Sequence, residues 1–346
     1  GALGAWYWFR NSSRAPPFST KGNSMAGRVC IVTGANTGVG KATAEALAQN
    51  GASVILACRS PDKVCFAQAC EDIRTKIPGA EVDTMKLDLE SNDSIRDFAA
   101  KFQKSRLPLH VLVNNAGLMV KEEESVRGME KTMVVNHLGP FLLTHLLLPS
   151  LQRSAAAEGG VGDGQGLASR IVNVTSRLEK RGRLLAFDRG IPPGPAWFSP
   201  PSSAEKGGGD RYDVWRAYSD SKLCNLLFTF ELHRRLSALQ GGGEGRVTVN
   251  AMSPGVVNSD LSRWASPLLL WAARPLMSLF MRTPAKGAET AVYAAVSPEM
   301  EGVSGRFLGD LKEAACSESS KDKVLAQKLW DASEAATGVA ESERIS

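Results

Sequence analysis

No two of the six cysteines form a Cys-x-x-Cys pair; they fall singly at 30, 58, 65, 70, 224 and 316. Cys30 and Cys58 lie inside apolar runs. That distribution fits small core residues in a reducing compartment and argues against a disulfide framework or a zinc site. Only four histidines are present, with no ligand spacing, so no metal is expected. Charge of one sign is also missing: 41 basic residues face 36 acidic ones, and no basic run is long enough for a nucleic-acid footprint. Lys180, Arg181 and Arg183 form the densest basic cluster, which reads as a solvated loop. The apolar stretch from Gly1 to Arg10 is far too short to span a bilayer.

What remains is an ordinary soluble composition, 43% hydrophobic and 22% charged over 346 residues. Such a chain builds one large domain or two small ones. Because residue 1 is glycine, the chain reads as processed or truncated. Residues 1–24 read as an N-terminal tail or anchor remnant, with 11–24 a polar Pro/Gly linker. The main domain is expected over 25–310 and a C-terminal helix and tail over 311–346.

From Arg28 the pattern alternates strand and helix. Arg28 to Thr33 is a short apolar run of the buried parallel-strand kind. It enters Gly34-Ala35-Asn36-Thr37-Gly38-Val39-Gly40, then a helix from Lys41 to Asn50, then a second strand from Ser53 to Cys58. This order is a right-handed βαβ unit, and its glycine turn lets backbone approach a pyrophosphate at the helix N-terminus. A merely tight turn is the blander reading. At the end of the second strand stands Arg59 rather than an acid. A guanidinium suits a 2′-phosphate, whereas an acid would accept from a ribose 2′-hydroxyl, so NADP(H) is favoured over NAD(H). The alternative is a solvated Arg59.

Further strands are expected at Val82 to Leu87, Leu109 to Val113, Arg170 to Thr175, Arg246 to Met252 and Gly305 to Leu308. Helices are expected at Asp62 to Lys76, Ser91 to Lys104, Gly128 to Leu151, Ala285 to Val296 and Val324 to Ala335. Asp88 either meets an adenine amino group or caps the following helix. Asn114-Asn115-Ala116-Gly117 ends the fourth strand, in the ligand crevice of an open sheet. Pro140 should kink the long helix close to Asn136. The Gly/Ala-rich stretch 155–168 reads as a mobile insertion and 177–215 as a lid or binding loop. Leu261 to Met281, rich in Leu, Trp and Met, reads as core, as an apolar wall over the crevice or as a membrane-contacting hairpin.

The helix after this loop carries Tyr218-Ser219-Asp220-Ser221-Lys222. Tyrosine and lysine four apart share one helix face. An ammonium beside a phenol favours the phenolate, which would bring the tyrosine towards neutrality and fit it for proton transfer. Alone, the pair is a common accident of exposed helices.

Taken with the glycine turn, the Asn-Asn-Ala-Gly run and Ser176 in this order, the chain resembles the short-chain dehydrogenase/reductase family over roughly residues 26–310. Within it, the chain resembles the retinol dehydrogenase and polyprenol dehydrogenase group. The telling stretches are Thr33 to Gly38, Ala57-Cys58-Arg59, Val135 to Gly139, Phe141 to Thr144 and Pro254 to Val257. Pro140, the reading Val174-Thr175-Ser176 and the long loops at 155–168 and 200–210 depart from the pattern. The loops put substrate identity in doubt.

The resemblance implies an α/β fold with a single Rossmann-like doubly wound parallel sheet of about seven strands and helices on both faces. It implies that Tyr218 is the general acid or base, and that Lys222 tunes it and holds the nicotinamide ribose. Ser176 would hydrogen-bond the carbonyl oxygen, and Asn136 would hold a water linking Lys222 to solvent. Ser176 as a turn residue, its neighbour Thr175, and Asn136 as a kink satisfier are the alternatives. The expected cofactor contacts are Gly34, Asn36, Thr37, Gly38, Val39, Gly40, Arg59, Asp88, Leu89, Asn115, Ala116, Gly117, Tyr218, Lys222, Pro254, Gly255 and Val257.

The function expected is NADP(H)-dependent interconversion of a small lipophilic alcohol, retinoid- or isoprenoid-like, and its aldehyde or ketone. The segments 177–215 and 258–283 would frame the substrate. A non-catalytic NADP(H)-sensing interaction protein is the alternative, and a structural membrane-associated protein a third reading. Relatives dimerise through helices near 128–153 and 216–239, so a homodimer is open, as is membrane association. The expected setting is cytoplasmic or a cytoplasm-facing membrane of the endoplasmic reticulum or another organelle, not secretion.

Overall fold

Strand β1 (Val29–Thr33) is buried along its whole length and pairs in parallel with β2 (Ser53–Cys58) and β4 (Val111–Asn114). The computed structural model describes residues 25–60, 64–158, 168–184, 190–199, 212–239, 247–257 and 281–345. Its main sheet has eight strands, in the order β10-β9-β8-β7-β4-β1-β2-β3. The others are β3 (Val82–Lys86), β7 (Ser169–Val174), β8 (Val247–Ser253), β9 (Phe307–Gly309) and β10 (Lys312–Glu313). All pair in parallel except β10. The inner strands β1, β4, β7 and β8 are buried along their whole length because helices cover both faces, β1 as an apolar run and β7 and β8 with Asn173 and Asn250 buried among apolar residues. The edge strands are less covered: Asp83 and Lys86 of β3 and both residues of β10 are exposed.

One face is covered by α1 (Gly38–Gln49), α2 (Val64–Lys76) and α7 (Pro284–Val296), which contribute Leu47, Ile73 and Ala291 to the core. The opposite face is covered by α3 (Asn92–Lys104), α5 (Gly139–Glu158), α6 (Val214–Leu239) and α8 (Lys323–Thr337). Phe98, Phe141, Phe228 and Trp330 meet there. The strand order reverses between β1 and β4, and a crevice opens beyond their carboxyl ends.

Several elements differ from expectation. The long helix begins at Lys131, not 128, because Ser125–Val126 (β5) and Met129–Glu130 (β6) form a small hairpin. Its turn residues, Arg127 and Gly128, both have positive φ, as a two-residue hairpin turn requires. Asp310 and Leu311 do the same between β9 and β10, the strand beyond the expected seven. Neither Arg-Gly nor Asp-Leu is a strong turn signature, so both hairpins were hidden in the sequence.

The expected kink is a π-helical segment, Val134–Leu138, between the short α4 (Lys131–Met133) and α5, closed by the Gly139 amide on the Val134 carbonyl. Pro140 cannot donate to the carbonyl of Asn136, and a widened turn absorbs that gap. The helix then runs to Glu158, taking the first residues of the expected 155–168 insertion; 159–167 lie outside the described residues. Lys131–Ala157 is long and apolar enough to cross a membrane, but 89% of its most apolar window is buried, so core packing accounts for the composition. Residues 1–24 and most of the Leu/Trp/Met-rich 261–281 stretch lie outside the described residues.

Candidate active site

Thr33 ends β1, and its hydroxyl accepts from the amides of Asn115 (3.0 Å) and Ala116 (2.9 Å) at the end of β4. The Asn115 side chain returns a bond to the Thr33 carbonyl at 2.8 Å. Two strand ends are thereby locked side by side, and the glycine turn is pressed against them. A Cβ on Gly34 would stand 2.9 Å from the Ala116 Cα, and one on Gly40 would stand 2.3 Å from the Asn115 Nδ2. Packing therefore demands these two glycines, while Gly38 has φ +59°, which suits a residue without Cβ.

The turn opens α1. Its N-cap, Thr37, makes no side-chain capping bond, and the first turn contains no acid. The unpaired amides and the helix dipole thus face the crevice without a built-in anion, an arrangement that fits a pyrophosphate. The crevice, ≈ 1230 Å³, is lined by every expected cofactor contact, from Gly34 to Val257. Asp88 does not cap α3, as one reading had it: Ser91 does, accepting from Ser94 N, while Asp88 accepts from the Glu90 amide at 3.1 Å. Arg59 lines the crevice too, but its guanidinium donates to Glu90 at 2.9 Å.

At the other end, β7 delivers Ser176 and α6 delivers Tyr218 and Lys222 to the same crevice. Tyr218 and Ser176 stand in the same wall of the crevice, close enough for the serine to temper the shift of the phenol. The Ser176 hydroxyl also accepts from Leu178 N, starting the 3₁₀ turn Arg177–Arg181. Thr175, the rival for Ser176, is buried, and its hydroxyl donates to the Lys222 carbonyl at 2.8 Å. Lys222 Nζ lies 5.4 Å from the Tyr218 ring centroid and donates to the Val174 carbonyl at 3.0 Å.

The electrostatics differ from the sequence expectation. Burial pushes the Tyr218 phenol up, with the neighbouring Ser176 hydroxyl opposing it, and burial pulls the Lys222 ammonium down to about 8. Desolvation outweighs any help from Lys222, whose Nζ is bonded to Val174 rather than to the phenol oxygen.

Asn136 is buried on the π segment and does not line the crevice. Its Oδ1 accepts from Leu118 N (2.8 Å), and its Nδ2 donates to Leu118 O and to Ser221 Oγ (both 3.0 Å). Ser221 donates on to the Tyr218 carbonyl at 2.7 Å. Between them, a Cβ on Gly117 would lie 3.3 Å from Asn136 Oδ1 and 3.5 Å from Lys222 Nζ. Sequence reading passed over Ser221, although it sits inside the Tyr-Lys motif. It also passed over Glu90, whereas Trp215 and Arg282, which line the crevice too, lie within the segments 177–215 and 258–283 expected to frame the substrate.

The family model described as short chain dehydrogenase matches residues 28–185. Retinol dehydrogenase 11 of Mus musculus is 39% identical over 315 residues, covering 91% of this chain and 87% of that protein. Retinol dehydrogenase 12 of Homo sapiens is 39% identical over 311 residues, covering 89% and 86%. Among solved structures, the RhlG/NADP active-site complex of Pseudomonas aeruginosa superposes with a TM-score of 0.58 at 26% identity, covering 84% of this chain and 97% of that one. With the crevice, the glycine turn and these likenesses in agreement, the chain belongs to the short-chain dehydrogenase/reductase family, of the retinol dehydrogenase type, and is an NAD(P)-dependent oxidoreductase acting on CH–OH groups.

Proposed function

We propose that the protein interconverts a lipophilic primary or secondary alcohol, retinoid- or isoprenoid-like, with its carbonyl, using NADP(H). The observation that carries this reading is the convergence of Ser176, Tyr218 and Lys222, with the Lys222 ammonium 5.4 Å from the Tyr218 ring centroid, on one wall of the crevice that the glycine turn closes. The dinucleotide supplies the hydride when bound. Tyr218 exchanges a proton with the substrate oxygen, and Ser176 donates to that oxygen as negative charge grows on it. Lys222 holds the ribose and lends positive charge. Asn136 fixes the Leu118 loop and, through Ser221, the helix that presents Tyr218. Arg59 takes the 2′-phosphate.

Following nicotinamide absorbance with retinal, farnesal and a polyprenal tests the reading. Turnover that vanishes in Tyr218→Phe supports it. No turnover above that variant across the panel, with tight dinucleotide binding kept, would instead favour a cofactor-sensing protein. Membrane association belongs to the same proposal, and fractionation with and without residues 1–24 checks it.

A further inference from the structure

Arg59 is not a spare cation. Its Nη1 donates to Glu90 Oε1 at 2.9 Å, and the Glu90 carboxylate also lies 3.5 Å from Lys131 Nζ. Lys131 in turn bonds Glu124 at 2.8 Å. The Glu90 backbone is tied down as well, through its amide to Asp88 Oδ1. Side-chain exposure separates the partners: 60% for Arg59 against 22% for Glu90 and 19% for Lys131. Glu90 is therefore the more enclosed and more tightly held member of the pair and Arg59 the more exposed one.

Both residues line the crevice at the end where β2 and β3 terminate. A phosphate on the adenosine ribose would either share the Arg59 guanidinium with Glu90, which occupies only Nη1, or displace it, and in both cases would lie beside a carboxylate of like charge. A neutral 2′-hydroxyl meets no such repulsion. We propose that Glu90 is a specificity-determining residue, a built-in counter-ion of Arg59 that holds down the preference for NADP(H) over NAD(H). This rests on the reading that Arg59 receives the 2′-phosphate. An exposed ion pair is weak, so the restraint is several-fold rather than absolute.

The test is direct binding of NADPH and NADH, measured by calorimetry on the purified full chain, for wild type, Glu90→Gln, Glu90→Ala and Arg59→Ala. Both Glu90 variants should tighten NADPH about three- to ten-fold and leave NADH within about two-fold. The gain should shrink as salt is raised. An equal change for both dinucleotides, or none for NADPH, overturns the proposal. Arg59→Ala should weaken NADPH selectively. If it leaves the NADPH-to-NADH ratio untouched, the role of Arg59 falls and this inference with it. If it acts as expected while the Glu90 variants do not, only the inference about Glu90 falls.

Discussion

Lys222 donates from Nζ to the Val174 carbonyl at 3.0 Å, so the strand that leads to Ser176 also anchors the ammonium beneath Tyr218. One strand end thereby sets the distance between the proposed oxyanion donor and the proposed proton carrier. Lys222 has two tasks in this arrangement, charge beside the phenol and a grip on the ribose, whereas Tyr218 has one. Lys222→Met is expected to weaken dinucleotide binding about ten-fold or more and to slow the reaction. Tyr218→Phe should lower kcat by about 10²- to 10⁴-fold while binding changes little. Calorimetric binding alongside single-turnover rates checks the division; equal cofactor affinity in the two variants would refute it.

The Ser221 hydroxyl is the joint between Asn136 and Tyr218. Ser221→Ala removes an acceptor for Asn136 Nδ2 and a donor to the Tyr218 carbonyl, both buried. A loss of about 1–3 kcal/mol is expected, since each buried hydrogen bond contributes about 1 kcal/mol and an orphaned group costs more. Urea denaturation measures it. A change below about 0.5 kcal/mol would mean that Asn136 is held by Leu118 alone.

These residues show how far the sequence carried. The glycine turn, Tyr218 and Lys222 were legible because their chemistry is encoded locally, by spacing on one turn or one helix face. The strands were legible because burial on both faces writes unbroken apolar runs, such as Val29–Thr33. The β5–β6 and β9–β10 hairpins were not, because Arg127, Asp310 and Leu311 take positive φ that side chains of their kind rarely signal. The partners of Asn136 and Arg59 were hidden for another reason. Leu118, Ser221 and Glu90 come together only when distant segments pack, and packing leaves no periodicity in the chain. The shift of Tyr218 went the other way from the local expectation because desolvation depends on everything around the ring.

Trp330 on α8 is fully enclosed, edge-on to Phe141 at 5.1 Å and 4.2 Å beneath the Arg235 guanidinium. Its indole N–H donates to Glu334 at 2.8 Å. The C-terminal helix is thus part of the same core as the sheet-covering helices, and truncation of this ring should be felt throughout. Trp330→Ala is expected to cost about 3–5 kcal/mol by cavity formation and lost ring contacts. A single urea transition shifted by that amount would confirm one cooperative unit. Separate loss of α8, with the main transition unmoved, would contradict it.

Asp220 sits between Tyr218 and Lys222 on α6, and its Oδ1 accepts from the Arg183 amide at 2.6 Å. Burial raises its carboxyl to about 7, against which the Arg183 bond and the charge of Arg216 pull down. The sign of the consequence follows from proton counting. Between the ordinary carboxylate value near 4 and about 7, the folded chain keeps a proton that the unfolded chain has released. Stability from this group is complete below that window and is lost as pH rises through it, at up to about 1.4 kcal/mol per pH unit. Asp220→Asn keeps the acceptor for Arg183 and removes the titration. The variant's thermal midpoint should therefore match wild type near pH 4, then pull ahead of it as the pH is raised to 8. Midpoints measured in parallel across that range decide the matter: curves that stay parallel would show that Asp220 ionises in the folded chain as it does in the unfolded one.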